Sequence, residues 1–418
     1  MRLLFLFLLT TSFLTAQKSP KLNQSRYPAE QMLDMKIDVV YLASDFLEGR
    51  QTGEPGEERA AEYLVRRFKD LGLTPKGTDN NWLQPFPFKT ITNPHANPDD
   101  EPIAGTGHNV LAYIDNKAAT TVVIGGHYDH LGRGGAGGSL HPHKDAIHNG
   151  ADDNASGMAA MLRMAKILKE KKIATNNNYL FIAFSGEELG LFGSKFFVNN
   201  PTIPLDQINY MLNMDMVGRL NKERTIVINA VGTSPEWNDM LPNIKRGNLN
   251  IKTTDSGIGP SDHTSFYLKD IPVLHFFTGQ HRQYHKPEDD VYLINFPGIL
   301  DVSEYLLAII EKLDDKGKIE FTKTKASETR EATAFNVTLG VMPDYVHNGT
   351  GMRIDSVIEG RVAHKAGLKD GDVVIKIGEV EVKDIYGYME GLSKFKAGDK
   401  TTVVVQRGDK EKKVKVTF

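Results

Sequence analysis

The sequence predicts an α/β fold: a three-layer sandwich with a mixed, largely parallel sheet, followed by a small β-rich domain at the C-terminal end. Three observations carry this. Apolar runs such as Thr121-Val-Val-Ile124, Tyr179-Leu-Phe-Ile-Ala-Phe184 and Ile271-Pro-Val-Leu-His-Phe-Phe277 are short and nearly uninterrupted, the pattern of strands buried on both faces. Helical stretches alternate with them as far as about Leu313, as expected when helices cover both faces of a sheet. From about Ala334 the pattern changes to short alternating strands, including Met352–Ile358, Asp372–Ile377 and Thr401–Val405.

Taken in order, Met1-Arg-Leu-Leu-Phe-Leu-Phe-Leu-Leu9 and Phe13-Leu-Thr-Ala16 form a basic start, a short apolar core and a small residue, so residues 1–16 read as a signal peptide. The expected location is secreted or periplasmic, in a bacterium. There is no cysteine among the 418 residues, which excludes a lipid-bearing cysteine and any disulfide. No later segment is apolar enough to span a membrane. Ala60, Leu64 and Phe68 repeat at helical spacing before Gly72 and Pro75 stop the helix. The main domain is expected over 17–315, a charged linker over 316–333 and the small domain over 334–418. A net charge of −3, with both signs interspersed, argues against nucleic acid as a partner.

Potential metal ligands recur just past, or between, the apolar runs. His127 follows the first, Glu187 and Glu188 follow Tyr179–Phe184, Asp215 follows Tyr210-Met-Leu-Asn213, and His285 lies in the loop after Phe277. Asp152 sits in the turn Asn149–Gly157 that opens a helix over Met158–Lys171; alone, it would read as an N-cap. Ligands of open α/β sheets gather outside the carboxyl ends of the strands, so these groups are expected to converge. Two imidazoles and three carboxylates suit two zinc ions, or cobalt or manganese in their place, with Asp152 as the shared carboxylate. The adjacent acids Glu187 and Glu188 at the end of a buried strand need a neutralising charge, which a divalent cation supplies. Glu187 is then free to act as general base, and Tyr284 can donate to a developing oxyanion. Asp129 is placed to accept the second ring N–H of His127, with Asp289 a further candidate for such a role. His141, His143 and His148 fall in a glycine-rich loop and read as loop residues.

His127-Tyr-Asp129, Gly150–Gly157, Ser185-Gly-Glu-Glu188, Asn213-Met-Asp-Met216 and Tyr284-His285 resemble the five signature blocks of the M28 zinc peptidases, a family of co-catalytic zinc aminopeptidases. The likeness runs from about Leu33 to Ile310 and takes in Tyr41–Arg50. It implies one zinc on His127 and Asp215, another on Glu188 and His285, Asp152 between them, and a cis peptide joining Asp152 to Asp153. It also implies Glu187 as the base that acts on a water shared by the two ions. Ser261–Phe266 resembles a family block lining the pocket, which makes Asp262 and His263 substrate-side or structural candidates.

Gly360–Asp372 resembles the PDZ domains of bacterial proteases, with Leu339, Gly340 and Val341 in the position of their carboxylate-binding loop. The implied partner is a peptide C-terminus that adds as a strand to a sheet edge. On this reading, removing the residues after Thr322 leaves cleavage of dipeptide-sized substrates intact. The expected function is a secreted exopeptidase, an aminopeptidase acting on peptides. Glutaminyl cyclase-like activity, a carboxypeptidase and a PDZ-recruited binding protein are the alternatives. A carboxypeptidase would need an arginine for the substrate carboxylate, for which Arg219 and Arg282 are the nearest candidates in sequence.

Overall fold

A computed structural model describes residues 27, 29–90, 103–134, 138–141, 145–324, 337–343, 347, 349–357, 360–383 and 385–418. The expected signal peptide, His143 and residues 325–333 of the expected linker lie outside these residues.

The first domain is built on a nine-stranded sheet of β1 (Thr74–Pro75), β2 (Leu83–Thr90), β3 (Ile103–Ile114), β4 (Thr120–His127), β5 (Asn177–Phe184), β6 (Ile208–Met214), β7 (Thr225–Asn229), β8 (Asn250–Thr253) and β9 (Val273–Phe277). The order is β1-β3-β5-β4-β6-β9-β7-β8, with β2 beside β3. Its centre, β5-β4-β6-β9, is parallel throughout, whereas β3 joins β5, and β7 joins β9, in antiparallel fashion.

Period-two alternation divides the side chains of the central strands between two cores. Val122, Ile124, Phe181 and Leu212 pack on one face with residues of helices α1 (Ala29–Leu42), α2 (Pro55–Asp70), α3 (Gly157–Lys171) and α7 (Phe296–Leu313). Val123, Leu180, Ile182 and Met211 pack on the other, with α4 (Phe192–Asn199) and α6 (His263–Tyr267). A seventh helix, α5 (Pro235–Met240), places Trp237 in the first of these cores. Helix α2 starts earlier than its apolar repeat, at Pro55, where the fixed φ of proline suits a first helical turn. Acids Glu57 and Glu58 stand in its first turn and Arg67 and Lys69 in its last, each favourable to the helix dipole.

The small domain is a six-stranded antiparallel sheet, β10 (Val341–Pro343), β11 (Met352–Val357), β12 (Val373–Ile377), β13 (Val380–Glu381), β14 (Lys400–Arg407) and β15 (Lys410–Thr417). Helices α8 (Val362–Ala366) and α9 (Ile385–Ser393) complete it. Leu339, Ile354, Val374, Leu392 and Val403 form its separate core. Strand β10 is the terminal strand of the sheet.

Residues 316–324, expected to be linker, are tied to the first domain by hydrogen bonds. Ile319 N–H donates to Asn209 Oδ1 at 2.9 Å, Thr322 N–H to the Thr233 carbonyl at 2.8 Å and Thr324 N–H to Tyr267 Oη at 3.1 Å. Main-chain bonding leaves no apolar periodicity, which is why the sequence pattern does not show it. No helix among the described residues is long and apolar enough to cross a membrane.

Candidate metal centre and active site

The four parallel strands end at one edge of the sheet, level with each other: His127 of β4 is in register with Phe184 of β5, and Met214 of β6 with Phe276 of β9. His127 is the last residue of β4, and Asp215 follows β6, its N–H on the Phe276 carbonyl at 3.1 Å. Glu187 and Glu188 lie on the turn after β5, opened by Gly186 at φ +73°. His285 comes from the loop after β9, and a tight turn over Ala151–Ser156 precedes α3.

The carboxylate at the centre of the group is that of Asp153. Its Oδ1 lies 3.3 Å from His127 Nε2 and its Oδ2 lies 3.3 Å from His285 Nε2. On one side His127 Nε2 is 3.3 Å from Asp215 Oδ1, and on the other His285 Nε2 is 3.2 Å from Glu188 Oε2. A tetrahedral ion with ligand bonds of about 2.0–2.1 Å sets its donor atoms about 3.3–3.4 Å apart, so these spacings match the edges of two such polyhedra sharing Asp153.

Asp152 does not occupy that place. Its Oδ1 accepts the N–H of Gly218 at 2.6 Å and the hydroxyl of Ser156 at 3.0 Å, and its Oδ2 is 3.2 Å from His281 Nε2 without the alignment of a hydrogen bond. The backbone leaves helical geometry at Asp153, with φ −105° and ψ 90°, so the two adjacent aspartates do not follow one regular turn, and it is Asp153 that faces the cleft. The cis peptide is likewise one residue further on, between Asp153 and Asn154.

The surroundings fix these groups. Burial alone would raise the Asp153 carboxyl, but the close approach of the His127 and His285 rings holds it well below the ordinary range. Burial pushes the Glu187 carboxyl well up, helped by Asp215 and Glu188 against the charge of His127. His285 Nδ1 lies 2.9 Å from the Gly138 carbonyl, and His127 Nδ1 lies 3.1 Å from the main-chain carbonyl of Asp129. The Asp129 carboxylate is 3.7 Å from that nitrogen; it accepts instead from Thr52 at 3.0 Å and from the Glu187 N–H at 3.2 Å. Asp289 bonds the N–H groups of Asp152 and Asp153 at 3.0 Å each, and so holds the Asp153 turn rather than His285. His148 braces the loop, with its Nδ1 and Nε2 each 2.7 Å from Ala146 O and Ser139 Oγ respectively. Asp262 and His263 are fully buried and are not among the residues that line the cavity.

Two residues here went unread in the sequence. His130 reaches Glu188 Oε1 from Nδ1 at 2.7 Å, and with Asp153 and Glu188 it forms a group compact enough to hold a cation. The adjacent block His127-Tyr-Asp129 was the available signal. Arg50 is fully buried and donates to the carbonyls of Leu42, Tyr128, Asn149 and Gly150. Burial lowers its pKa to about 10, resisted by Asp153, Asp129, Asp289 and Glu188.

Asp153, Glu187, Glu188, Asp215, Tyr284 and both ligand histidines line a cavity of about 360 Å³. Its walls include Ile258, Pro260 and Phe277 and, from the small domain, His347, Gly349, Gly351 and Met352. Tyr284 stacks on the His285 ring at 3.8 Å. Among the described residues no arginine or lysine lines the cavity, and Arg219 and Arg282 are not part of its wall.

A parallel-centred sheet with a carboxylate and imidazole cluster at its strand ends defines a chain of the zinc-exopeptidase fold type. Residues 109–310 match the model of peptidase family M28, and residues 322–418 match that of the PDZ domain. The chain is 27% identical to the aminopeptidase YwaD of Bacillus subtilis over 44% of its own length and 42% of that protein's. It is 34% identical to leupeptin-inactivating enzyme 1 of Streptomyces exfoliatus over 55% of its own length and 44% of that protein's. It thus spans about half the length of these curated relatives. Among solved structures, it resembles BSAP, a zinc aminopeptidase from Bacillus subtilis, with a TM-score of 0.54 and 17% identity over 72% of this chain and 97% of that one. It also resembles the glutaminyl cyclase of Porphyromonas gingivalis, with a TM-score of 0.52 and 16% identity over 68% of this chain and 98% of that one.

Proposed function

We propose that this protein is an exported, zinc-dependent aminopeptidase that removes N-terminal residues from peptides. The observation that carries this is the paired cage around Asp153: His127 and Asp215 on one side and Glu188 and His285 on the other, at donor spacings that suit a tetrahedral cation. These residues would hold two zinc ions. Such ions supply Lewis acidity toward a peptide carbonyl and a lowered pKa for the attacking water.

The chain's own groups do the rest. Glu187, held by its N–H on Asp129 and facing the same cavity, takes the proton of the attacking water and returns it to the departing amine. Tyr284 lies beside His285, where its hydroxyl can donate to the oxyanion. Among the described residues the cavity offers carboxylates and no arginine or lysine, a setting that favours a substrate's free α-ammonium group over a carboxylate and so supports the amino rather than the carboxy direction. A complete second set of donors, with its own imidazole, supports the peptidase reading over a single-metal cyclase. At the PDZ domain, a peptide C-terminus would extend the terminal strand β10, with the N–H groups around Leu339, Gly340 and Val341 receiving the carboxylate.

The test is hydrolysis of aminoacyl amides with free and with acylated amino groups, before and after chelation and after zinc is restored. Cleavage of the free-amine series alone, lost on chelation and recovered with zinc, is expected. Equal cleavage of both series would overturn the aminopeptidase reading.

A further inference from the structure

The two imidazoles assigned as ligands leave a third in the same cluster. His130 is completely buried, and its Nδ1 lies 2.7 Å from Glu188 Oε1 but 3.9 Å from Asp153 Oδ2. The other Glu188 oxygen, Oε2, is the one that faces His285 at 3.2 Å. The short contact is that of a charge-assisted hydrogen bond, whereas the His127 and His285 contacts to their carboxylates have the longer spacing of donors around one cation. Nε2 of His130 has no hydrogen-bond partner among the described residues, so a ring carrying its proton on Nδ1 leaves only a lone pair unmet.

The ring cannot turn away. His285 stands edge-on to it with centroids 5.8 Å apart, and Gly150 lies so close that a β-carbon there would fall 2.6 Å from the ring. Gly150 has φ +55°, which keeps the main chain on this ring. A fixed donor thus grips one oxygen of Glu188 and directs the other inward.

We propose that His130 is a positioning residue: its Nδ1–H holds Glu188 Oε1 so that Oε2 is aimed at the metal position beside His285, without His130 serving as a ligand itself. This rests on the two-zinc reading above and deepens it. Partners of this kind, bonded to a ligand, typically change metal affinity by about 10–100-fold when removed.

The test is zinc titration of the full-length apoprotein against a chromophoric chelator, for the parent, His130→Leu and His130→Asn. The asparagine amide can place an N–H where Nδ1 stands, whereas leucine cannot. We expect His130→Leu to weaken one of two zinc sites by about 10–100-fold, leaving the other near the parent value, and His130→Asn to restore it. Should the leucine variant fail to fold, His130→Gln takes its place, since its longer amide puts the donor near the Nε2 position, away from Glu188. A parent-like two-site titration for the leucine or glutamine variant would overturn the proposal. So would an asparagine variant as weak as either, which would make the imidazole a ligand. A parent that takes up fewer than two zinc ions overturns both readings together.

Discussion

Asp152 and Asp153 are chemically identical and adjacent, yet only one faces the cleft. The sequence marked the turn and the need for a shared carboxylate; the choice between neighbours depends on backbone rotation in a tight turn, which residue type does not encode. Asp153→Asn is therefore expected to lose most bound zinc, while Asp152→Asn, which keeps an oxygen for Gly218 N–H and Ser156, is expected to retain it. Metal analysis of the two purified variants checks this, and the reverse order would return the bridge to Asp152. Glu187→Gln should hold zinc as the parent does and lose turnover by several orders of magnitude, measured as kcat on an aminoacyl amide. By contrast, the end-of-strand positions of His127, Glu188, Asp215 and His285 were legible because strand ends of a parallel sheet share an edge. Arg50 was not legible as a buried cation, since its role comes from four carbonyls contributed by distant segments. Leaving a buried acceptor unsatisfied costs about 1–3 kcal/mol, so Arg50→Leu should lower stability by at least about 3 kcal/mol in thermal or denaturant unfolding. A loss below about 1 kcal/mol would contradict a clamping role.

At the scale of elements, buried strands and the α2 repeat were readable from apolar spacing, but the ties between elements were not. Glu57 in the first turn of α2 accepts from Tyr128 Oη at 2.7 Å and from the His108 N–H at 2.9 Å, and lies 3.4 Å from the His108 ring, joining α2 to β3 and to the end of β4. The hydrogen bond to Glu57 raises the His108 pKa above its ordinary value of 6.5. A raised folded-state pKa means that this ring's contribution is complete below about 6.5 and fades as pH climbs through the folded value. Melting temperatures of the parent and His108→Leu should thus differ more at pH 6 than at pH 9. A gap of constant size would show that the ring's charge contributes nothing. Residues 316–324 teach the same lesson: charged and aperiodic, they read as linker, but main-chain hydrogen bonds hold them to β6 and α6 neighbours.

For the whole molecule, the division into an α/β domain and a β-rich one was readable from the change of period near Ala334. Their meeting at the cavity was not, because no local pattern reports what a loop faces across two hundred residues of chain. From the sequence, cleavage of dipeptide-sized substrates should survive removal of the second domain. The cavity changes that expectation, since His347, Gly349, Gly351 and Met352 form part of its wall. Ending the chain after Thr324 is now expected to raise KM even for an aminoacyl amide, with zinc content unchanged; identical KM values would show the wall to be dispensable. Shared walls also tie substrate choice to pedigree. Exchanging this PDZ module for that of an M28 relative would transplant part of a pocket along with the proposed peptide-capturing surface, so chimeras should inherit tastes from both parents.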